Sequence, residues 1–353
     1  MVSRRTFTAG VTAGVVSAIG GPVSSGAGAT PDNRQAGHGL GAVSRAPHLP
    51  AGFTDTFTSR YVHAGGLRQH VVMGGDGPPL LLLHGWPETW FAWRLLMPAL
   101  ARSFQVIAVD QRGVGHSGKP RDGYDTGTLA RDLVALMDAL GHRRFAMVGH
   151  DVGMVTAYAV AADHPDRLDR LAVAEAILFG VTPSPPLIGG TAANNRLWHI
   201  AFNRLADVNE QLVRGREDIY FGWQFATKAV RPLPDYAVRY YIRTLACVPG
   251  ALRGSFGFYR ALDTTIAQNQ QRQARRLTLP VLAIGGANSG GEGVADSMRL
   301  AADDVRSVVI PGCGHWVPEE APEEMLAALM TFLAPYRAGW AAAHRPGPHP
   351  AKV

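Results

Sequence analysis

Cysteine is nearly absent from this chain: 353 residues hold two, Cys247 and Cys313. Two thiols cannot build a disulfide scaffold, and no C-x-x-C spacing suggests a zinc site. Whether these two bridge is left open by sequence, because a bridge needs Cα atoms within about 7 Å. Charge is sparse as well. Charged residues make up 18% of the chain against 46% hydrophobic ones, which excludes a disordered polymer and predicts a sizeable buried core. The formal charge is +6, yet no long Lys/Arg run is present. The basic residues therefore describe a solvated surface, and neither a nucleic-acid partner nor a membrane patch is expected. Internal repeats are missing too. Past the N-terminal segment no apolar run is long enough to span a bilayer, so stable membrane insertion is not expected.

What is present begins at the N-terminus. Ser3-Arg4-Arg5-Thr6-Phe7 is a twin-arginine pattern, and an apolar Gly/Ala-rich stretch follows from Ala9 to Gly21. Small residues then end at Ala27-Gly28-Ala29, an A-x-A-like cleavage site. Together they predict a Tat-type signal peptide over 1–29 and a periplasmic or extracellular protein. Residues 30–50 lack periodicity and are expected to form a linker.

A strand-then-helix rhythm starts after residue 50. Tyr61-Val62 and Gln69 to Val72 suggest an opening hairpin. Leu80 to Leu83 and Val106 to Val109 are short unalternating apolar runs, as for strands covered on both faces. Leu129, Leu133, Leu136, Met137 and Leu140 mark one helix face, with Arg131, Asp132 and Asp138 opposite and Gly141 as a left-handed stop. Phe145 to Val148 predicts a strand, Ala157 to Ala162 a helix ending before Pro165, and Leu171 to Ala174 another strand. From Phe179 the rhythm breaks. Residues 180–275 contain helical, aromatic-rich segments without buried strand runs. Strands resume at Pro280 to Ile284 and Val305 to Ile310, and a helix from Glu323 to Phe332 closes the fold. Residues 338–353 are expected to fray. The expected fold is α/β: a mostly parallel sheet flanked by helices, formed by 51–179 and 276–337, with a helical cap inserted after the strand that ends near Glu175.

The chemistry concentrates at strand ends. Phe145 to Val148 runs into Gly149-His150-Asp151-Val152-Gly153 and then a helix. That is a nucleophile-elbow pattern with Asp at the centre, and its close backbone crossing requires small residues two before and two after. The strand Leu80–Leu83 leads into His84-Gly85-Trp86-Pro87. Backbone N–H groups of Trp86 and Val152 are the candidate oxyanion-hole pair, while His84 is expected to be structural. His315, in Pro311-Gly312-Cys313-Gly314-His315-Trp316, follows the last strand and is the candidate base. The stretch after Ile284, Gly285 to Gly290, contains no carboxylate. The acid that orients His315 is therefore placed at Glu175, with Glu292 as a competitor.

From His84 to Trp316 these motifs resemble the α/β-hydrolase epoxide hydrolases, nearest to the secreted bacterial Cif type (cystic fibrosis transmembrane conductance regulator inhibitory factor). Leu197-Trp198-His199, Phe256 to Leu262 and Pro318-Glu319-Glu320 extend the match. The resemblance implies that His199 and Tyr259 hold the epoxide oxygen, where other epoxide hydrolases of this fold use two tyrosines. It implies no cofactor and no metal, and a small apolar epoxide and water as reactants. Oligomeric state is not readable from the sequence, and a homodimer is left open. Ala321 stands near where Cif-type chains carry a second cysteine, so that local disulfide is missing. Trp198, Phe202, Trp223, Phe225 and Phe258 suggest an apolar cavity or ordinary cap packing.

A carboxylate nucleophile suits a saturated carbon that bears a leaving group, so a dehalogenase of the same fold is the alternative. Haloalkane enzymes of this fold usually have Asn and Trp where this chain has Trp86 and Val152. Haloacetate enzymes usually carry Arg near the nucleophile, where Val152 and Met154 offer nothing comparable. An exported partner-binding or effector protein on a hydrolase fold is the second alternative.

Overall fold

Pro79 to Leu83 is buried at every residue, because this strand has neighbours on both edges and side chains packed on both faces. A computed structural model describes residues 39–186 and 188–343. Its sheet has eight strands: β1 (Thr58–Ala64), β2 (Leu67–Gly74), β3 (Pro79–Leu83), β4 (Gln105–Asp110), β5 (Phe145–His150), β6 (Leu168–Ala174), β7 (Val281–Gly286) and β8 (Val305–Ile310). Their spatial order is β1-β2-β4-β3-β5-β6-β7-β8. The pairs β1–β2 and β2–β4 are antiparallel, and every later pair is parallel.

Alternate residues of the central strands serve two separate cores. Leu80, Leu82, Ala146, Val148, Ala172 and Ala174 join the aromatic-rich cluster on one face. Leu81, Leu83, Phe145, Met147, Leu171 and Val173 join the aliphatic cluster on the other. That division is the period-two geometry of a strand carried through the sheet.

Two helical turns, α1 (Phe53–Thr56) and α2 (Met97–Leu100), precede α3 (Thr126–Ala139) and α4 (Val152–Asp163). Asp125 caps α3 by accepting from the Thr128 N–H at 3.0 Å, and Gly141 closes it at φ 84°, where a side chain would be strained. Asp132 is not on a solvated face: it is buried and takes a bidentate Arg112 at 2.6 and 2.9 Å. Six helices lie between β6 and β7: α5 (Thr191–Asn203), α6 (Val208–Val213), α7 (Glu217–Lys228), α8 (Asp235–Cys247), α9 (Ala251–Arg260) and α10 (Leu262–Arg272). Then come α11 (Gly293–Arg299), α12 (Val317–Glu320) and α13 (Pro322–Ala343).

Two expectations are corrected. Residues 338–343 are no tail but prolong α13, whose Tyr336 is buried and donates to the Pro79 carbonyl at 2.9 Å. Residues 39–50 are no free linker. Val43 to Arg45 form a 3-10 turn, and the Gly41 carbonyl accepts from the buried Trp90 indole at 2.6 Å, a donor that needs a partner once desolvated. The expected signal segment 1–29 and residues 344–353 lie outside the described residues. Cys247 is exposed, Cys313 is buried, and both are free thiols. Among the described residues no helix is long and apolar enough to cross a membrane.

Candidate active site

The chain turns sharply between β5 and α4. Asp151 sits at the turn with φ 52° and ψ −122°, a costly conformation for a residue with a side chain. Its neighbours show why the flanking residues are glycine. A Cβ on Gly149 would lie 2.4 Å from the Gly153 carbonyl oxygen, and one on Gly153 would lie 2.7 Å from the Leu83 and His84 carbonyls. The strain aims the Asp151 carboxylate past the C-terminal edge of the sheet, where parallel strands of open α/β folds present their ligands.

The two carboxylate oxygens of Asp151 meet different partners. Oδ1 accepts from the Trp86 backbone N–H at 3.0 Å. Oδ2 lies 3.4 Å from Nε2 of His315. Burial alone would raise the Asp151 pKa, but His315, His150 and Lys228 outweigh it and hold the group well below the usual carboxylate range. Val152 opens α4, so its N–H belongs to the set that has no acceptor within the helix.

Glu175 follows β6 at φ 62°. Its Oε1 accepts from the Gly286 and Gly290 N–H groups at 2.7 and 3.1 Å, and its Oε2 lies 3.1 Å from Nδ1 of His315. A carboxylate only accepts, so Nδ1 carries a proton toward Glu175 and turns Nε2 toward Asp151. The competitor Glu292 is bound elsewhere, to Arg299 and Ser307. His84 is fixed in the loop. Its Nδ1 donates to the Gly85 carbonyl at 2.8 Å, and its Nε2 accepts from the Gln111 N–H at 3.2 Å.

Several supporting residues were given no role from the sequence. His150 pairs with Glu88 at 3.0 Å and donates through Nε2 to the His315 carbonyl at 2.8 Å. Burial disfavours its charge, but Glu88 more than compensates and pushes its pKa up to about 9. Glu320 accepts backbone N–H groups from Val230, Arg231, Gly314 and Trp316 at 2.8 to 3.0 Å. It thereby ties the His315 loop to the segment after α7. The trailing position of Glu320 behind His315 was the one hint available.

The cap places three polar groups around the Trp86 ring. His199 of α5 stacks on it with centroids 5.2 Å apart, and Tyr259 of α9 meets it edge-on at 5.4 Å. Lys228, the last residue of α7, holds its Nζ 5.6 Å from the ring centroid and 3.3 Å from Nε2 of His199. Burial, then Lys228, hold His199 neutral. Burial, then Asp151, push the Tyr259 hydroxyl well above 10. Lys228 escaped sequence reasoning because a lysine in a last helical turn is ordinary. The cap aromatics mostly pack: Phe225 stacks on Tyr241 and lies tilted against Trp316, as Phe202 does against Tyr220. Trp198 and Trp223 are exposed. Phe258, with Trp86, Val152 and Ser255, lines a cavity of about 40 Å³. A larger cleft of about 660 Å³, lined by Arg143, Arg144, Arg170 and Tyr336, lies at the opposite ends of the strands, away from Asp151.

An elbow acid, a histidine on a second carboxylate and a backbone donor at the sheet edge define an α/β hydrolase, and the chain belongs to that family: residues 78–322 match its model, described as alpha/beta hydrolase fold. Its relatives narrow the class to an epoxide-hydrolase-like member. A soluble epoxide hydrolase from Corynebacterium sp. (strain C12) is 32% identical over 280 residues, 77% of this chain and 96% of the relative. A fluoroacetate dehalogenase from Burkholderia sp. is 32% identical over 304 residues, 80% of this chain and 96% of the relative. Among solved structures, Cfl2 from Burkholderia cenocepacia superposes with TM-score 0.76 at 38% identity, covering 78% of this chain and 96% of that one.

Proposed function

We propose that the chain hydrolyses an epoxide to a vicinal diol through a covalent ester on Asp151. The observation that carries this reading is the split environment of the Asp151 carboxylate: Oδ1 on the Trp86 N–H, and Oδ2 facing a histidine oriented by Glu175. Oδ2 attacks an epoxide carbon, the C–O bond breaks, and the electron pair leaves on the ring oxygen. His199 and Tyr259 support that oxygen. His315 then takes a proton from water, and the hydroxide attacks the ester carbonyl. The carbonyl oxygen, Oδ1, already sits on the Trp86 N–H and becomes the oxyanion there, with the Val152 N–H as the second donor. Such a donor is worth on the order of 3 kcal/mol. Collapse of the oxyanion breaks the ester C–O bond, and the second diol oxygen leaves with the proton of the added hydroxyl, restoring the Asp151 carboxylate.

A second reading is dehalogenation. The fluoroacetate dehalogenase relative favours it, and Lys228 supplies near Asp151 a cation of the sign that a haloacid carboxylate needs. Purified protein offered panels of epoxides, haloalkanes and fluoroacetate separates the two. Diol without halide release supports the first reading, and halide release without diol overturns it.

Export through the twin-arginine segment is proposed alongside. Replacing Arg4 and Arg5 with lysine should retain the protein in the cytoplasm on fractionation, and unchanged export would refute that route.

A further inference from the structure

We infer that Lys228 is a catalytic residue of this site, the acid that protonates the ring oxygen as the epoxide opens. The inference rests on the epoxide-hydrolase reading. Lys228 is buried, and among the described residues no carboxylate oxygen lies within 4.0 Å of its Nζ. Among the described residues its Nζ has one hydrogen-bond partner, Nε2 of His199 at 3.3 Å, while its backbone carbonyl accepts from the His315 N–H at 3.0 Å. An ammonium has three donors and no acceptor, so His199 accepts one N–H and positions the group, leaving two for a bound molecule. Burying a lone cation in a cap is costly unless a negative charge forms beside it.

The reaction supplies that charge. In the resting site the opposing charge is Asp151, which couples electrostatically to Lys228. Alkylation neutralises Asp151 and moves the negative charge onto the ring-opened oxygen. Lys228 then faces an alkoxide in a buried pocket. The other two cap groups are poor acids: His199 is held neutral with its Nε2 already accepting from Lys228, and the Tyr259 hydroxyl is pushed well above 10. Burial lowers Lys228 to about 8, so it is the most acidic of the three while still protonated at neutral pH. The surrounding charged and titratable groups are Asp151 at the elbow, Arg196 and His199 on α5, Tyr259 on α9 and His315 after β8, with Tyr241 on α8 and Glu320 on α12 behind. Protons balance over the cycle. Lys228 gives one to the alkoxide and becomes a neutral amine, His315 takes one from water, and exchange with solvent restores both.

The test compares wild type with Lys228→Met in single turnover, measuring ester formation and ester hydrolysis separately by rapid quench and intact mass. The expected result is ester formation slowed about 100-fold or more, with hydrolysis within a few-fold of wild type. Wild-type ester formation should fall as pH rises through about 8, a limb that Lys228→Met lacks. The defect should shrink for epoxides bearing electron-withdrawing groups, whose alkoxides need a proton less, and a purely structural role would not move that readout. Equal ester formation and an equal pH profile in the variant would overturn the inference while leaving the epoxide reading standing. Wild type that turns over no epoxide would overturn both. If Lys228→Met does not fold, the wild-type limb decides: its absence, or a midpoint that organic cosolvent raises as it does for a neutral acid, counts against lysine.

Discussion

Asp151 and His315 were legible as single residues because their surroundings constrain sequence: glycines where backbones cross, and an apolar strand immediately before each loop. Glu175 was legible by elimination, from the missing carboxylate after Ile284. Lys228 and Glu88 were not, since nothing local distinguishes a buried lysine or glutamate from a solvated one. Each assignment has its own test. His315→Gln should form the ester and fail to hydrolyse it, so intact mass after epoxide addition should show a stable adduct, with turnover down by about 100-fold or more. Tyr259→Phe should slow ester formation by roughly 100-fold while sparing ester hydrolysis. The His150–Glu88 pair adds a pH signature. The folded pKa of His150, about 9, exceeds its unfolded value of about 6.5. Its contribution is therefore complete below about pH 6.5 and is lost as pH rises through about 9, on the order of 3 kcal/mol in all. Urea unfolding from pH 6 to 10 should show that loss in wild type and not in Glu88→Gln.

At the scale of elements, strands were easy to read and ends were not. Short apolar runs marked β3, β4, β5, β6 and β7 through burial on both faces, whereas α13 outran its apparent stop because Tyr336 has a buried carbonyl to reach. The link between cap and His315 loop was invisible, being made of backbone N–H groups that converge on Glu320. Glu320→Ala would leave four backbone donors, two of them buried, without their acceptor. It should lower unfolding stability by about 3 kcal/mol or more and reduce ester hydrolysis more than ester formation, because the His315 loop is what it fixes. Denaturant melts and the single-turnover split check both effects, and a fully stable, fully active variant would contradict them.

Across the whole molecule, the sheet brings together residues that are far apart in sequence. Asp151, Glu175 and His315 come from the ends of three parallel strands, Trp86 from a fourth, and His199, Lys228 and Tyr259 from three different cap helices. Strand order follows from parallel pairing and crossover helices, so the core was readable from rhythm alone. The cap was not, because helices packed by aromatics look alike whether they bury a substrate or each other. The same frame serves epoxide opening and dehalogenation, and what separates them is the chemistry at the leaving atom.

The covalent Asp151 ester is the step everything else depends on, and one measurement reads it directly: a single turnover with enzyme in excess over epoxide in oxygen-18 water. The account predicts a first-turnover diol whose new oxygen is unlabelled, with the label appearing in the Asp151 carboxylate. A first-turnover diol carrying the solvent label, with Asp151 unlabelled, would contradict it.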